Sequence, residues 1–339
     1  MALQASGTIK YSQIITEFGT PNNGGLGEFR LGGGEDVGSL SDVPLDVGVP
    51  VSGQIKFSDF YSKRLNQIVD LHSIGNNTVR QDAKDRWNNG NVHIVGSSRT
   101  GKTQPPDTID DRIIINVNNT IGSAQGTQTH CALKTGTWDS GTTLVIEIGP
   151  SGKLYGSGGK GGDGGSASGG QGDNGETGSS ALGIQYACTV NNLGVIQSGY
   201  GGGGGGGGRQ QQTNTGKKSP PQNNGAPGGG GGGGAGLPAG GAGICPDNSF
   251  GGGTDGSDGG VGTLSGQAAG GDGGNYGGAG GDSSPVNNTA TKGGDGVDSN
   301  GTGGTGGNNG YAIITNQGSS PSVTGNSATG RILTSTNPT

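Results

Sequence analysis

The chain is short of the residues that fill a conventional protein core. Of its 339 residues, only 26% are hydrophobic and 4% aromatic, whereas globular chains carry about 45–50% apolar residues. A chain with so few apolar side chains cannot bury one large core of the usual kind. Charged residues are also scarce, at 13%, and this argues against the highly charged class of disordered proteins.

Other absences exclude further classes. The net charge is −6, so the chain lacks the basic face that nucleic-acid binding requires. It has no run of about 18 apolar residues, so we expect no membrane insertion. Residues 1–7 lack the features of a signal peptide, and we expect synthesis in a cytoplasm without export by the general route. Cys131, Cys188 and Cys245 are too few and too far apart for a disulfide framework or a zinc site.

Glycine is what the chain has in excess. It supplies 85 of the 339 residues, about 25% against a usual value of about 7%. The excess is concentrated in residues 156–310, where about 39% of the positions are glycine. Because the composition changes so sharply at both ends of this region, we predict domain boundaries near residues 155 and 310.

Within 156–310, glycine recurs every third residue in runs that change phase. One such run is Gly169, Gly172, Gly175 and Gly178, and the tracts Gly201–Gly208 and Gly228–Gly234 satisfy any phase. A left-handed extended helix has three residues per turn, and glycine on one of its faces lets another backbone approach. The runs are too short and proline too rare for collagen. We predict a bundle of polyglycine II helices joined by lateral backbone hydrogen bonds; the alternative is a flexible glycine linker.

The remaining sequence predicts a β-rich chain with a small N-terminal module. The pattern S-G-x-I-K-aromatic-S occurs at residues 6–12 and again at 52–58. Each unit predicts a short strand and then a short helix that is N-capped by its serine, Ser12 or Ser58. Residues 112–117, 143–148, 183–190, 193–196 and 311–315 are strand-like.

The predicted fold class is therefore mostly β and irregular, with little α-helix. We divide the chain into an attachment module at 1–63, a β-rich domain at 64–155, a polyglycine II bundle with variable loops at 156–310, and a C-terminal strand and tail at 311–339.

Three motifs that could carry chemistry are incomplete. Residues 96–103 match a phosphate-binding loop, but prolines follow where such a loop must open a helix. Residues 277–282 and 293–298 begin like calcium-binding repeats, but they lack the large apolar residue that comes next. The histidines, His72, His93 and His130, have no partner at metal-ligand spacing. We therefore predict no enzymatic activity, no cofactor and no metal site.

Several of these features together resemble tailed-bacteriophage fibre and adhesin proteins. They are the N-terminal units, the glycine tracts broken by variable loops, and the closing segment Gly310-Tyr311-Ala312-Ile313-Ile314. The glycine region is similar to the distal fibre adhesins of T-even-like phages. That resemblance implies a layered polyglycine II bundle whose tip loops bind a receptor, either a bacterial surface protein or a glycan. It also implies a virion protein, made in the cytoplasm of the bacterial host.

The resemblance suggests two sets of candidate residues. Loops at 209–227, 244–250 and 282–289 would contact the receptor, and the candidates are Tyr200, Arg209, Lys217, Lys218, Phe250 and Tyr276. The aromatic members are chosen because aromatic side chains anchor interfaces, although they could instead plug the edges of the bundle. Residues 1–63 would dock onto another virion protein, in the fibre, tail or neck, through Ile9, Tyr11, Ile14, Ile55, Phe57 and Phe60.

The sequence leaves three points open. A neck, collar or tail decoration fibre without a receptor is the main alternative function, and an ice-binding protein is a third. Either three chains form a homotrimer through residues 1–155 or a single copy caps a fibre. The C-terminal segment 315–339 could itself form the tip.

Overall fold

The computed structural model describes a large part of the chain, and the structural statements below refer to that part. It comprises residues 3–18, 26, 29–30, 33–34, 53–63, 66–71, 78–79, 81–88, 92–94, 112–166, 170–207, 212–213, 222–223, 229–245, 303–316, 321–328 and 331–333. Helices are few there: α1 (Tyr11–Phe18), α2 (Ala83–Asn88) and a 3-10 turn at Phe57–Phe60. None of the described helices is long and apolar enough to cross a membrane. The predicted fold class, mostly β with little α-helix, is confirmed.

The N-terminal residues build a small hydrophobic cluster of their own. It joins α1, the short antiparallel pair β1 (Phe29–Arg30) and β2 (Gly33–Gly34), and the 3-10 turn. Its buried members are Leu3, Ile9, Ile14, Phe29 and Phe60. The rings of Phe29 and Phe60 meet edge to face, with centroids 5.8 Å apart. Because the first residues of the cluster also pair with residues after the 3-10 turn, as in the 2.7 Å Leu3 N–Lys63 O hydrogen bond, the two repeated units close into one module.

The two S-G-x-I-K units adopt the same local structure. In each, the backbone N–H of the lysine donates to the polar side chain three residues later. Lys10 donates to Gln13 Oε1 and Lys56 donates to Asp59 Oδ2, both at 2.7 Å. These bonds satisfy an N–H group that would otherwise be unpaired at the helix start. The sequence repeat is therefore a structural repeat.

The prediction that a serine caps each helix is wrong. Ser12 and Ser58 lie one residue inside their helices, which begin at the preceding aromatic residue. At both helix starts the observed side-chain hydrogen bond is instead the one that Gln13 or Asp59 accepts from the lysine N–H. The glycine of each unit, Gly7 or Gly53, has a positive φ, 94° and 80° respectively, a conformation that glycine adopts without strain.

Apart from a two-stranded antiparallel pair at 212–213 and 222–223, the described strands after residue 65 form three sheets, which are parallel except for one edge strand. The first sheet contains β3 (Asn66–Asp70), β6 (Val92–Ile94), β7 (Arg112–Val117), β10 (Thr143–Ile148), β13 (Cys188–Asn192) and β18 (Ser322–Gly325). The second contains β4 (Thr78–Val79), β8 (Thr120–Gly122), β11 (Lys153–Tyr155) and β14 (Val195–Gln197). The third contains β5 (Gln81–Asp82), β9 (Cys131–Lys134), β12 (Ser180–Ile184), β17 (Tyr311–Thr315) and β19 (Arg331–Leu333). Strand β6 is antiparallel to its neighbour β3.

The chain visits these sheets in rotation. Strands β7, β8 and β9 lie in the first, second and third sheets, and β10, β11 and β12 repeat that path one layer further on. Strands β13, β14 and β17 make the next turn, and each pairs in parallel with the strand of the turn before. The described strands therefore form a parallel β-solenoid with three faces, an architecture in which each turn stacks on its neighbours.

In the central strands of the first sheet, alternate residues point into the core of the solenoid. In β7, Ile113, Ile115 and Val117 are fully buried and the residues between them are partly exposed. Strand β10 has the same alternation, and the register places Ile146 beside Ile115. A strand whose side chains alternate between core and surface needs only half its residues to be apolar. This is how a chain with so little hydrophobic sequence builds a continuous core.

Helix α2 brings a tryptophan to this core. Trp87 packs against Trp138 with ring centroids 5.6 Å apart. Lys84 Nζ lies over both rings, 4.3 Å and 4.4 Å from their centres. The ammonium is thus held by two aromatic faces, an arrangement that favours a cation.

Six extended glycine-rich segments run side by side in the described part of the chain. We number them segment 1 (156–165), segment 2 (170–179), segment 3 (199–207), segment 4 (229–236), segment 5 (238–245) and segment 6 (303–310). Their hydrogen bonds are lateral and recur every third residue. For example, Gly159 N donates to Tyr200 O and Gly162 N to Gly203 O, at 2.9 and 2.8 Å.

These hydrogen bonds define two rows of three segments. Segments 5, 1 and 2 form the first row, and segments 4, 3 and 6 form the second. Every segment also bonds to the other row, and successive segments run in opposite directions. The lateral bonding supplies partners for backbone groups that burial would otherwise leave unpaired.

Close approach of the segments explains the three-residue period. A Cβ at Gly161 would fall into the carbonyl group of Gly231 in segment 4, and one at Gly162 would strike segment 2. The third phase of segment 1 points outward and carries the side chains of Lys160 and Asp163, which are 43% and 33% exposed. Glycine is therefore required in two phases of this segment, and side chains are accommodated in the third.

The six segments form two insertions into the solenoid. Segments 1 and 2 connect β11 to β12, and segments 3 to 6 connect β14 to β17. The insertions occur at the same corner of two successive turns, between the second and third sheets. Strands at 180–197 and 311–315 consequently share sheets with strands before residue 155. The sheets cross the compositional boundaries, and the division into domains at 155 and 310 stays a prediction.

Candidate functional site

Three connections of the bundle leave from one end of it. They are the stretches between segments 1 and 2, between segments 3 and 4, and between segments 5 and 6. Hydrogen bonds bring the segment ends together there, with Gly165 N to Gly206 O and Gly206 N to Gly229 O both at 2.8 Å. We call this the distal end. The predicted loops 209–227 and 282–289 fall in these connections, and the loop 244–250 begins at the end of segment 5.

The opposite end of the bundle is fixed to the solenoid. The corner loop between β8 and β9 lies beneath it, and Gln125 Nε2 donates to Gly158 O of segment 1 and Ala239 O of segment 5, at 3.3 and 3.1 Å. Ser157 Oγ donates to Ala124 O at 3.1 Å. Because one side chain joins two segments to the solenoid, the direction in which the distal end faces is set by the solenoid.

The prediction that Tyr200 contacts a receptor is wrong. It lies at the solenoid end of segment 3, is 4% exposed, and its backbone bonds to segments 1 and 4. Burial raises the pKa of its phenol, and a hydrogen bond with Gln197 partly offsets that rise. A buried side chain at the end opposite the loops cannot contact a large partner. Its position agrees with the alternative that the aromatic residues plug the bundle.

The other receptor candidates lie outside the described residues. These are Arg209, Lys217, Lys218, Phe250 and Tyr276. Within the connection that holds the first three, the structure describes one short antiparallel pair, β15 (Gln212–Thr213) and β16 (Gln222–Asn223). The phosphate-loop match at 96–103 and both calcium-like motifs also lie outside the described residues.

Half of the predicted docking residues in the N-terminal module belong to its core. Ile9, Ile14 and Phe60 are at most 7% exposed, so the prediction that they contact a partner is corrected: they hold the module together. Tyr11 and Ile55 are partly buried against the same cluster. Phe57 is 42% exposed and is the candidate among the six that is most available to a partner.

Asp163 and Ile244 meet at the distal end; Ile244 begins the predicted loop 244–250, but neither residue was among the individual receptor candidates. Ile244, near the end of segment 5, exposes 54% of its surface. Its N–H donates to Asp163 Oδ1 at 2.8 Å, and its carbonyl accepts from Gly164 N at 2.9 Å. The phase of the glycine triplets is the signal that could have identified both residues, since each breaks a glycine run at an outward position.

Two titratable groups that the sequence drew attention to, His130 and Cys188, have structural surroundings. His130 Nδ1 lies 2.9 Å from Gln125 O in the corner loop. Cys188 is buried in the solenoid core, and burial raises the pKa of its thiol to about 12. No group of three or more histidine, cysteine or carboxylate side chains is placed to hold a metal ion among the residues that the structure describes. The predictions of no cofactor and no metal stay predictions.

Comparison with known proteins identifies a family. The model of the phage tail fibre adhesin Gp38 family matches residues 83–335. Among solved structures, the chain is similar to the gp37-gp38 adhesin tip complex of the bacteriophage S16 long tail fibre, with 19% sequence identity and a TM-score of 0.38. That match covers 84% of this chain and 90% of the other. The curated proteins provide no match.

Proposed function

The chain belongs to the Gp38 family of phage tail fibre adhesins, and we propose that it binds a host-cell receptor through the distal end of its glycine bundle. As a member of this family it is a component of the virion. The resemblance inferred from the sequence is confirmed at the level of the family.

The topology of the bundle carries this proposal. Six segments of alternating direction bring the connections after 166, 207 and 245 to one end, and the solenoid occupies the other. A rigid scaffold that presents several variable connections at one end is a common arrangement for recognition. The side chain of Gln125 joins segments 1 and 5 to the solenoid and so restricts rotation of the bundle on it.

We further propose that the six segments are polyglycine II helices. Their lateral hydrogen bonds have the three-residue period of that helix, and glycine occupies the positions where a Cβ would meet a neighbouring backbone. A fibre-diffraction or circular-dichroism signature of left-handed extended helix in the purified chain would test this assignment. An antiparallel β signature from residues 156–310 would contradict it.

The N-terminal module is proposed to dock the chain onto another protein of the tail fibre. The solved structure in the comparison is a complex of gp37 with gp38, and a fibre subunit is the corresponding expected partner here. Phe57 is exposed on this module and its cluster is separate from the solenoid core. The chain is proposed to be non-enzymatic, and mass photometry of the assembled fibre would decide between a single copy and a homotrimer.

A loop deletion tests the receptor-binding proposal. Removing residues 210–226 takes out most of the connection between segments 3 and 4 and leaves both segments intact. We expect the variant to fold, because the deleted stretch lies outside the six segments, and to lose adsorption to host cells. Normal adsorption of a virion that carries the deletion would contradict the proposal. Thermal unfolding of the variant is the control for its folding.

Two treatments of the cells identify the class of receptor. Protease digestion of the cell surface removes binding to a protein receptor, and periodate oxidation removes binding to a glycan. A purified, folded chain that attaches to the virion but binds no host cell would favour the alternative of a purely structural fibre. The adhesin family assignment favours the receptor-binding function over that alternative and over ice binding.

A further inference from the structure

Asp163 connects two segments at the distal end. Its Oδ1 accepts the N–H of Ile244 at 2.8 Å and lies 3.2 Å from Lys160 Nζ. The next residue, Gly164, donates its own N–H to Ile244 O at 2.9 Å. Both backbone polar groups of Ile244 are therefore held by two consecutive residues of segment 1.

The outward phase of segment 5 explains why Ile244 is displayed. Gly240 and Gly243 face segment 1, where a Cβ would meet the carbonyl groups of Gly159 and Gly162. A Cβ at Gly241 would meet nothing within 4 Å. Ile244 follows Gly241 by three residues and so shares its open phase, which accounts for its exposure of 54%.

The exposed apolar surface of Ile244 does not stabilise the bundle, because it is not buried against a neighbouring segment. Packing of the segments requires only that this position be open, and a small polar residue would meet the same requirement. The large apolar side chain instead stands on a backbone that is fixed on both sides. Fixing a contact group before binding reduces the entropy that association costs.

We propose that Asp163 is a positioning residue of the receptor-binding tip, which holds Ile244 as a rigid apolar contact and fixes the point where the chain leaves segment 5. The inference rests on the proposed function and adds to it that Asp163 acts on the receptor through Ile244. The acceptor oxygen of Asp163 matters for this role, and its charge, which Lys160 neutralises at 3.2 Å, does not.

Three variants of the full-length chain separate these contributions. Asp163→Ala removes the acceptor and the charge, and Asp163→Asn removes the charge and keeps an oxygen acceptor. Asp173→Ala is the matched control, because it removes an exposed carboxylate of the neighbouring segment 2 without touching Ile244. Binding of each purified chain to host cells is titrated, and exchange of the Ile244 amide hydrogen is measured by mass spectrometry.

We expect Asp163→Ala to weaken binding about tenfold, mainly through faster dissociation, as is usual for changes within one interface. Exchange at Ile244 should rise in the same variant. Asp163→Asn and Asp173→Ala should bind within about twofold of the wild type. A fourth variant, Ile244→Ser, should reproduce the loss of binding while the amide stays protected, and Leu193→Ser, which changes an exposed aliphatic residue of the solenoid, should not.

Three outcomes would overturn the inference. One is wild-type affinity in Asp163→Ala despite faster exchange at Ile244, and the second is an equal loss in Asp163→Asn. The third is wild-type affinity in Ile244→Ser. Absence of binding by the wild-type chain itself would instead refute the proposed function, so the two failures are distinguishable.

Discussion

Neighbouring glycines in segment 5 should respond in opposite ways to the same substitution. Gly240 lies against segment 1, whereas Gly241 is open to solvent and a Cβ there would meet nothing within 4 Å. We predict that Gly240→Ala destabilises the bundle and that Gly241→Ala leaves it unchanged or stabilises it. The pair tests whether lateral packing of the backbone is what requires glycine every third residue.

The expected size of the effect follows from the distances. A Cβ at Gly240 would lie 2.6 Å from the carbonyl carbon of Gly159, whereas carbon atoms prefer a separation of about 3.5–4.0 Å. Segments 5 and 1 must therefore move apart by roughly 1 Å. That movement weakens lateral hydrogen bonds worth about 1 kcal/mol each and adds the cost of overpacking, about 1–3 kcal/mol. We expect a total loss of about 3 kcal/mol for Gly240→Ala.

The expected gain for Gly241→Ala is small and has another cause. Alanine reduces the conformational freedom of the unfolded chain, which stabilises a protein by about 0.4–1 kcal/mol where the native backbone suits it. Thermal unfolding of the full-length variants, followed by far-ultraviolet circular dichroism and by resistance to protease, measures both effects. We expect a midpoint lower by several degrees for Gly240→Ala and an unchanged or higher midpoint for Gly241→Ala.

Equal destabilisation by the two substitutions would refute this reasoning. It would mean that the need for glycine in segment 5 does not depend on the approach of a neighbouring segment. No effect from either substitution would show that segment 5 does not pack against segment 1. Gly241→Val extends the test, since an open position should also accept a branched side chain without a large loss.

Two further predictions concern the solenoid. Lys84→Met should lower the free energy of unfolding by about 1 kcal/mol, because it removes the ammonium from the faces of Trp87 and Trp138, and it should change the tryptophan fluorescence; an unchanged emission spectrum and stability would contradict the contact. The thiol of Cys188, with its pKa raised to about 12 by burial, should resist alkylation in the native chain at pH 8 and react after unfolding, as mass spectrometry would show. Rapid labelling of the native chain would contradict the burial of this thiol. The same rise in the pKa of Cys188 makes the folded state less stable as pH rises from about 9 towards 12, because the thiol ionises first in the unfolded chain.

Sequence patterns predicted local structure well where the order of apolar and polar residues itself determines that structure. Strands at 112–117, 143–148 and 311–315 were expected from their alternating or continuous apolar residues, and the structure has them. The repeated N-terminal units were expected to share a structure, and they share a cap and a glycine with positive φ. The preference of serine for helix N-termini did not predict the cap. In both units the helix begins one residue before the serine, and the side chain three residues after the lysine accepts the lysine N–H.

Residues assigned to contacts were predicted less well. Tyr200 stands beside a glycine tract and was expected at a loop, but the chain direction places it at the solenoid end of segment 3. Ile9, Ile14 and Phe60 were expected to face a partner, and they fill the core of their own module. When a helix or strand is only a few residues long, its sequence does not show whether an apolar side chain faces the core of its own module or a partner.

The sequence alone determined that this chain could not build a conventional core and that glycine would recur at the spacing of a three-residue helix. It also showed that the glycine region and the N-terminal units resemble those of phage fibre adhesins. Those properties depend on composition and on local period, which need no knowledge of distant residues. Only the tertiary structure decided that the strands wind into a solenoid, that both glycine insertions leave from one corner, and that Asp163 meets Ile244. These depend on the order in which parallel strands stack, since a contact between residues 81 positions apart exists only when the intervening segments have folded back beside each other.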